Sequence, residues 1–355
     1  MNKDSSIEKL VELKLIQEDA GTILSLMKSE HDSIFGMGII PYYALFVQSC
    51  QDCLHKEGSI SELVKSCRNY IKVFEGGFSK SKRRVSSVDK IQNMRFQSML
   101  RFRFMKSWNI HYNLGIYWTN NKHMIGNTQM YADYLGLANF SNDSAAEKLY
   151  ELGYEIGKYV ASVNTAFGQF KEPSIIERTN NKVEIQYYYD LNTNKKNLIF
   201  LNNSKDLSLF YLNLVCSINF VRYILEPLFL SDNNWLFRVE YIVTYYTYRA
   251  LERLSNYCEN NNDIIVDRDA LMSVLDLDFA IFDSKLRSSM MHYGIKDEGV
   301  ISLENIDNPL YGMIETCFGG MSFKSYYSNL RKLEDRLIKY LEGQFNSDQI
   351  YLKKL

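Results

Sequence analysis

The stretch KLRSSMMHYGIKDEG, residues 285–299, sets Arg287 and His292 four intervening residues apart in a chain that has five histidines. Arginine stays cationic and offers a planar fork of donors that matches a phosphate. Histidine titrates near neutrality and can give or take a proton. Together they suffice to cleave RNA without a metal. The RNA's own 2′-hydroxyl attacks the adjacent phosphate, His292 manages the protons, and Arg287 holds the charge that builds on phosphorus. Ser288 would order the phosphate or the arginine.

The spacing makes a demand on the element that carries it. Five positions along a straight helix put two side chains about 140° apart. Either the helix ends between Arg287 and His292, or two copies of the motif meet across a dimer. Gly294 stands where a helix C-terminus wants a glycine. A purely structural reading stays open beside this one. In it a helix over 270–293 ends in a histidine near the negative end of its dipole, and Arg287 pairs with a carboxylate such as Asp283.

Apolar residues recur at helical spacing through most of the chain, and proline occurs four times, at Pro41, Pro173, Pro227 and Pro309. The spacing predicts a first helix pair in IEKLVELKLIQEDAGTILSLM and a helix from PYYALFVQSC with proline in its first turn. It predicts a serine-capped helix in SISELVKSCRNYIKVF, and one of about 20 residues around Ala145, Leu149 and Leu152. Residues 182–202 place two β-prone runs on either side of an Asn/Lys-rich turn and read as one β-hairpin. Four further helical segments follow, as in an antiparallel bundle. The expected architecture is mainly α: a helical N-terminal region over 1–175 for regulation or binding, a hairpin connector over 176–205, and a helical bundle over 206–355.

Other residues invite chemistry. EGGFSKSKRRVSSVDK reads as a basic, Ser/Gly-rich connector leading to the helical IQNMRFQSMLRFRFMKSW. Lys82, Arg83, Arg84, Arg95, Arg101 and Arg103 form the expected RNA-guiding surface, with Phe96, Phe102, Phe104 and Trp108 interleaved for base stacking. The bland alternative is a solvated segment running into an amphipathic helix. Cys50, Cys53 and His55 in CQDCLH supply too few ligands for zinc, with only Cys67 nearby, so buried thiols are the expectation and no metal is expected. YADYLGLANFSND, 131–143, is patterned like a helix-turn-helix but has Asn142 where its second helix should bury an apolar residue. Tyr241, Tyr245 and Tyr248 share one helix face, suited to core or interface. Glu240 and Arg249 lie on that helix. His111 and His123 read as structural histidines. P-loop, G-x-G-x-x-G, G-x-S-x-G and H-E-x-x-H motifs do not occur, and no cofactor is expected.

LRSSMMHYG near the end of a helical bundle resembles the R-x(4–6)-H signature of HEPN-domain ribonucleases, with the polar Ser288 after the arginine as is usual there. NPLYGMIETCFGGMSFKSYYSNLRKLEDRLIKYLEG is similar to the closing segment of such bacterial proteins. The resemblance covers roughly residues 206–345. It implies a bundle that dimerises, a composite cleft with Arg287 and His292 from both protomers, and metal-independent RNA cleavage in anti-phage defence or toxin–antitoxin growth control. An antitoxin or activator protein is a further implied partner. A toxin subgroup carries tyrosine two residues after the histidine; here that position is Gly294, and Tyr293 follows His292 directly. The alternative of another class is an inactive helical module that binds RNA or a protein.

The whole chain sets the frame. It has 355 residues, 46% hydrophobic, 14% aromatic and 26 tyrosines, a globular composition. Formal net charge is −1, so nucleic-acid affinity requires a local patch. The charged start MNKDSSIEKL has no export-type apolar region, and no uninterrupted apolar run of about 18 residues occurs, so no membrane span is expected. With six scattered cysteines, reduced thiols in a cytoplasm are expected.

Overall fold

Helices dominate the structure, a computed structural model that describes residues 3–29, 33–54, 59–100, 111–136, 145–167, 185–195, 199–201, 204–230, 232–261, 263–277, 279–295, 300–347 and 353–354. The fold is mainly α, as the spacing predicts. The helix pair expected at the start is one continuous helix, α1 (Lys3–Lys28), because a single stripe of Val11, Leu15, Ile16, Ala20, Ile23 and Leu26 is buried along its whole length. Next, α2 (Ser33–Leu54) begins a full two turns before Pro41, which therefore lies inside it and not in the first turn. Proline cannot donate to the carbonyl four residues back. That carbonyl, on Met37, is satisfied instead by the hydroxyl of Tyr134. Ser61 caps α3 (Glu62–Tyr70) by accepting from the Val64 N–H at 3.2 Å, as expected.

The expected basic connector is helix. Gly77, at φ +95°, leads into α4 (Phe78–Ser98). Phe78, Ser81, Val85, Val88 and Gln92 recur at helical spacing and are buried, and that stripe outweighs the serine and lysine content of the exposed face. Asp89 on the same stripe is buried and accepts from Asn113, Gln129, Thr193 and Lys205 at 2.6–2.9 Å.

The β structure differs from the hairpin expected at 182–202. The hairpin is β1 (Leu114–Thr119) with β2 (Met124–Asn127), turning at Lys122 with φ +63°. β3 (Ile185–Leu191) pairs antiparallel with β1, and β4 (Lys353–Lys354) pairs with β3, giving the order β2-β1-β3-β4. The turn after β3 explains the choice of partner. Asn192 donates to the His111 carbonyl at 2.7 Å, and the Thr193 N–H donates to Asn113 at 2.9 Å, which draws β3 to the entry of β1. The second expected run contributes one antiparallel bridge, Phe200 to Phe345.

Asn127 caps α5 (Thr128–Tyr134), and α6 (Ala145–Phe167) buries Leu152, Ile156, Val160 and Val163. Then comes α7 (Lys205–Asn219), which continues through a π-helical turn at Phe220–Leu225 and a 3-10 turn to Leu228. Residues 205–228 have the length and mean hydropathy of a membrane span, but 83% of that window is buried inside the protein, the signature of a core helix. The long α8 (Asn234–Asn260) follows. The helix expected over 270–293 is instead two short ones, α9 (Arg268–Leu275) and α10 (Ser284–Met291). After them come α11 (Met313–Cys317) and α12 (Phe323–Glu342). The polypeptide reaches α11 through Leu310, Tyr311 and Gly312, all with positive φ. There the Gly312 position admits no Cβ, which would stand 2.4 Å from Asn305.

One apolar cluster runs from Val11 to Phe345. The division into 1–175 and 206–355 is therefore one of sequence and not of packing among the described residues: α1 packs on α8, and α4 and β2 pack on α7.

Candidate functional site

The run DLDFAIFD explains why the motif helix is short. Asp276 stands at the C-terminus of α9, and Asp283 caps α10 by accepting from the Lys285 and Leu286 N–H groups at 2.8 and 2.9 Å. Asp283 is thus committed to the cap and is not the partner of Arg287. The helix ends on His292, whose N–H still donates to the Ser288 carbonyl at 2.9 Å while its backbone is extended at φ −138°, ψ 135°. The terminus falls on the histidine itself, one of the two geometries the 140° separation calls for.

The end of α10 is held from three sides. Arg238 on α8 donates from Nη1 to the carbonyls of Ser289 and Met290 at 2.7 and 2.9 Å, a cation where the helix dipole is negative. Its Nε donates to Asp19 of α1 at 2.9 Å, and its guanidinium lies 4.3 Å from the ring centre of Tyr293. The Tyr293 hydroxyl also donates to Asp19. Burial lifts the Asp19 carboxyl to about 6, against the pull of Arg238 and Tyr293. Ser49 of α2 donates to the Met291 carbonyl at 2.7 Å, and the Ile295 N–H donates to Glu12 of α1 at 2.6 Å.

So held, the two motif residues face different neighbours. Arg287 reaches α8 and the turn after α3. It donates to the Tyr246 hydroxyl at 3.2 Å, lies 3.5 Å from a Glu75 carboxylate oxygen, and sits 5.9 Å from the Tyr245 ring centre. His292 is half-buried and lines a cleft of about 380 Å³ together with Lys9, Glu12, Ser49, Asp52, Cys53 and Gly294. Arg287 is not among the residues lining that cleft. Within the cleft Lys9 and Glu12 are 2.9 Å apart, and the Cys53 thiol donates to Glu12 at 3.5 Å. Burial, reinforced by Glu12, pushes that thiol up to about 11, so it is a neutral wall and not a nucleophile. Ser288, half-buried, enters the arrangement through its carbonyl.

Sequence reasoning missed the residues that face Arg287. Arg68 in the last turn of α3, with Lys72 and Glu75 in the turn that follows, repeat at i, i+4 and i+7 and so share one side. The charge of Arg287 acts on both Arg68 and Lys72, and Asp52 of the His292 cleft acts on Arg68. The only signal in the sequence is the spacing R-x3-K-x2-E, which by itself marks an ordinary helix face.

The expected RNA-guiding surface is in part already neutralised. Lys82 is paired with Asp263 at 3.0 Å, and Arg84 makes a two-pronged pair with Asp133 at 2.8 and 2.9 Å. Arg83 is exposed, Arg95 lies on the last turn of α4, and Arg101 and Arg103 lie outside the described residues. His55, and residues 137–143 of the helix-turn-helix-like stretch, also lie outside them. Among the described residues no group of three or more His, Cys, Asp and Glu side chains is placed to hold a metal. His111 bonds Asn93 at 2.7 Å. His123 bonds Glu342 at 2.8 Å and stacks on Tyr223, a structural setting for both. Tyr241 is buried, and Tyr245 and Tyr248 pack with it around Phe282.

A second polar group lies between α8 and α12. Arg331 contacts Glu226 and Glu240 at 2.6 Å each and Glu334 at 3.3 Å, beneath a surface cleft of about 380 Å³ that Tyr327 and Arg222 also line. Burial pushes the Glu334 carboxyl up to about 7. Tyr327 and Thr244 complete the bonding of Glu240 and Glu334, as expected of a satisfied structural network. Comparison with protein-family models, with curated proteins and with solved structures finds no match to this chain.

Proposed function

We propose that the protein is a metal-independent endoribonuclease of the HEPN type, in which Arg287 holds the scissile phosphate and His292 serves as general acid and base. The observation that carries this reading is the presentation of the motif. An eight-residue helix, anchored at its C-terminus by Arg238, Ser49 and Glu12, ends on His292 at the wall of a cleft that Lys9, Glu12 and Asp52 also line, while Arg287 keeps a third of its side chain exposed. Rigid support of this kind is what a reacting constellation needs. Because the two residues face different sides of one chain, the complete site would form across a homodimer, with Arg287 from one copy and His292 from the other. The setting would be cytoplasmic, in anti-phage defence or toxin–antitoxin control, with an activator or antitoxin as regulator.

The test is incubation of labelled single-stranded RNA in EDTA with the unaltered protein, Arg287→Ala and His292→Ala. Cleavage by the unaltered protein alone, leaving 2′,3′-cyclic or 3′-phosphate ends, is the expected result. A second reading, an inactive helical module that binds RNA or a protein, is favoured by the contacts Arg287 makes with Tyr246 and Glu75. RNA bound but uncut, with the same affinity in both variants, would select it.

A further inference from the structure

Arg68 is 5% exposed, yet its only hydrogen-bond partner among the described residues is the side-chain oxygen of Asn69, at 3.1 Å. No carboxylate stands within ion-pair distance of it among those residues, and its Nε is buried with no partner. An arginine has five donors, and burying such a group without an anion is costly. Arg287 has the same defect: its Nε is buried and has no partner, and its one carboxylate contact, to Glu75 at 3.5 Å, is long for a charge-assisted bond. Lys72, half-buried in the turn between them in sequence order, carries a third positive charge. Burial first, then the charge of Arg68 and, more weakly, that of Arg287 hold its ammonium below the usual lysine range against the pull of Glu75. Arg287 and Lys72 thus share Glu75, and Asp52 acts on Arg68.

We propose that Arg68, Lys72 and Arg287 form an anion site, completed within one chain, that takes a phosphate group of a nucleic-acid strand. A strand phosphate presents two non-bridging oxygens, each able to accept from more than one donor, whereas among the described residues the single Glu75 carboxylate pairs with Arg287 alone. The Tyr246 hydroxyl, already bonded to Arg287, fixes the guanidinium that the phosphate meets. That the phosphate belongs to a substrate rests on the ribonuclease reading above; the unbalanced charge does not.

The experiment is titration of the full-length protein with pyrophosphate at low salt, followed by calorimetry and by the thermal midpoint. The unaltered protein binds and its midpoint rises by mass action. Lys72→Ala, a change at a half-exposed turn, weakens binding about tenfold or more, as loss of a charge-assisted bond should. Arg287→Ala does the same, while Lys65→Ala, a cation of α3 paired with Glu62, leaves binding unchanged. Absence of binding at millimolar pyrophosphate, or equal binding by all four proteins, overturns the site. The two proposals fail separately. If pyrophosphate binds through Lys72 but the unaltered protein cuts no RNA, the nuclease reading falls and the anion site stands. If Lys72→Ala cuts RNA at the unaltered rate and pyrophosphate is not bound, the anion site falls and the nuclease reading stands.

Discussion

Two buried arginines, Arg238 and Arg68, are each nearly sealed from solvent, at 1% and 5% exposure, yet they meet opposite fates. Arg238 is matched by Asp19, by two helix-end carbonyls and by the face of Tyr293. Arg68 has one neutral oxygen. Arg238 still leaves Nη2 without a partner, but a buried charge that meets a carboxylate and two helix-end carbonyls holds parts of a fold in register. One without them costs stability and persists where something absent from the folded chain uses it. The first residue belongs to the architecture; the second is the one that the proposed anion site puts to use.

Substitution can break that contrast. Replacing Arg238 with methionine keeps the volume but strands Asp19 and the carbonyls of α10, and should cost about 3–5 kcal/mol in a denaturant titration. Loss under 1 kcal/mol would mean that the anchor is dispensable. Next in size, if the proposed ribonuclease reading holds, His292→Ala lowers the RNA-cleavage rate by about 10²–10⁴-fold, the usual range for a general acid–base. It should leave the unfolding midpoint nearly unmoved, because the anchors of α10 act on backbone groups. Arg68→Met should be neutral or stabilising by about 1 kcal/mol without ligand, the opposite sign to Arg238→Met. A loss as large as that at Arg238 would show that the two arginines do the same job.

The pH dependence sharpens the same contrast. Asp19 at about 6 and Glu334 at about 7 hold protons in the folded chain that the unfolded chain, near 3.8 and 4.5, has released. Folded protein therefore binds more protons across that interval, so these two groups' contribution to stability falls as pH rises from about 4 to 7 and levels off above it. Glu334→Gln should flatten the upper part of the slope, read from midpoints at successive pH values. The smallest effect expected is that of Tyr134→Phe. It leaves the Met37 carbonyl without its donor, at about 1 kcal/mol.

Local rules made the long helices legible: α6, α7, α8 and α12 follow the spacing of their apolar residues, and α1 does too, though as one helix and not the expected pair. The Ser61 cap was legible for the same reason. Where the spacing competed with composition, composition misled, as at α4, whose serines and lysines cover the face opposite Val85 and Val88. The β partners were not legible, since β3 had to choose between its neighbour at 199–201 and β1, and contacts of Asn192 and Thr193 decided it. At the candidate site the motif and the end of its helix could be read. The support could not, because Asp19 and Arg238 are 219 positions apart and nothing local marks either. Arg68 and Lys72 stayed hidden for the same reason.

The anchoring of α10 has a kinetic consequence. The carbonyls of Ser289, Met290 and Met291 are tied to α8 and α2, and the Ile295 amide to α1. The hydrogen-bonded amides of the segment from Ser288 to Ile295, those of His292 and Ile295 among them, should exchange with solvent deuterium as slowly as core positions. On the way in, the same ties make it late. A segment this close to the C-terminus must wait for α1 and α8 to meet, a closure across most of the chain, before the histidine has a wall to stand in.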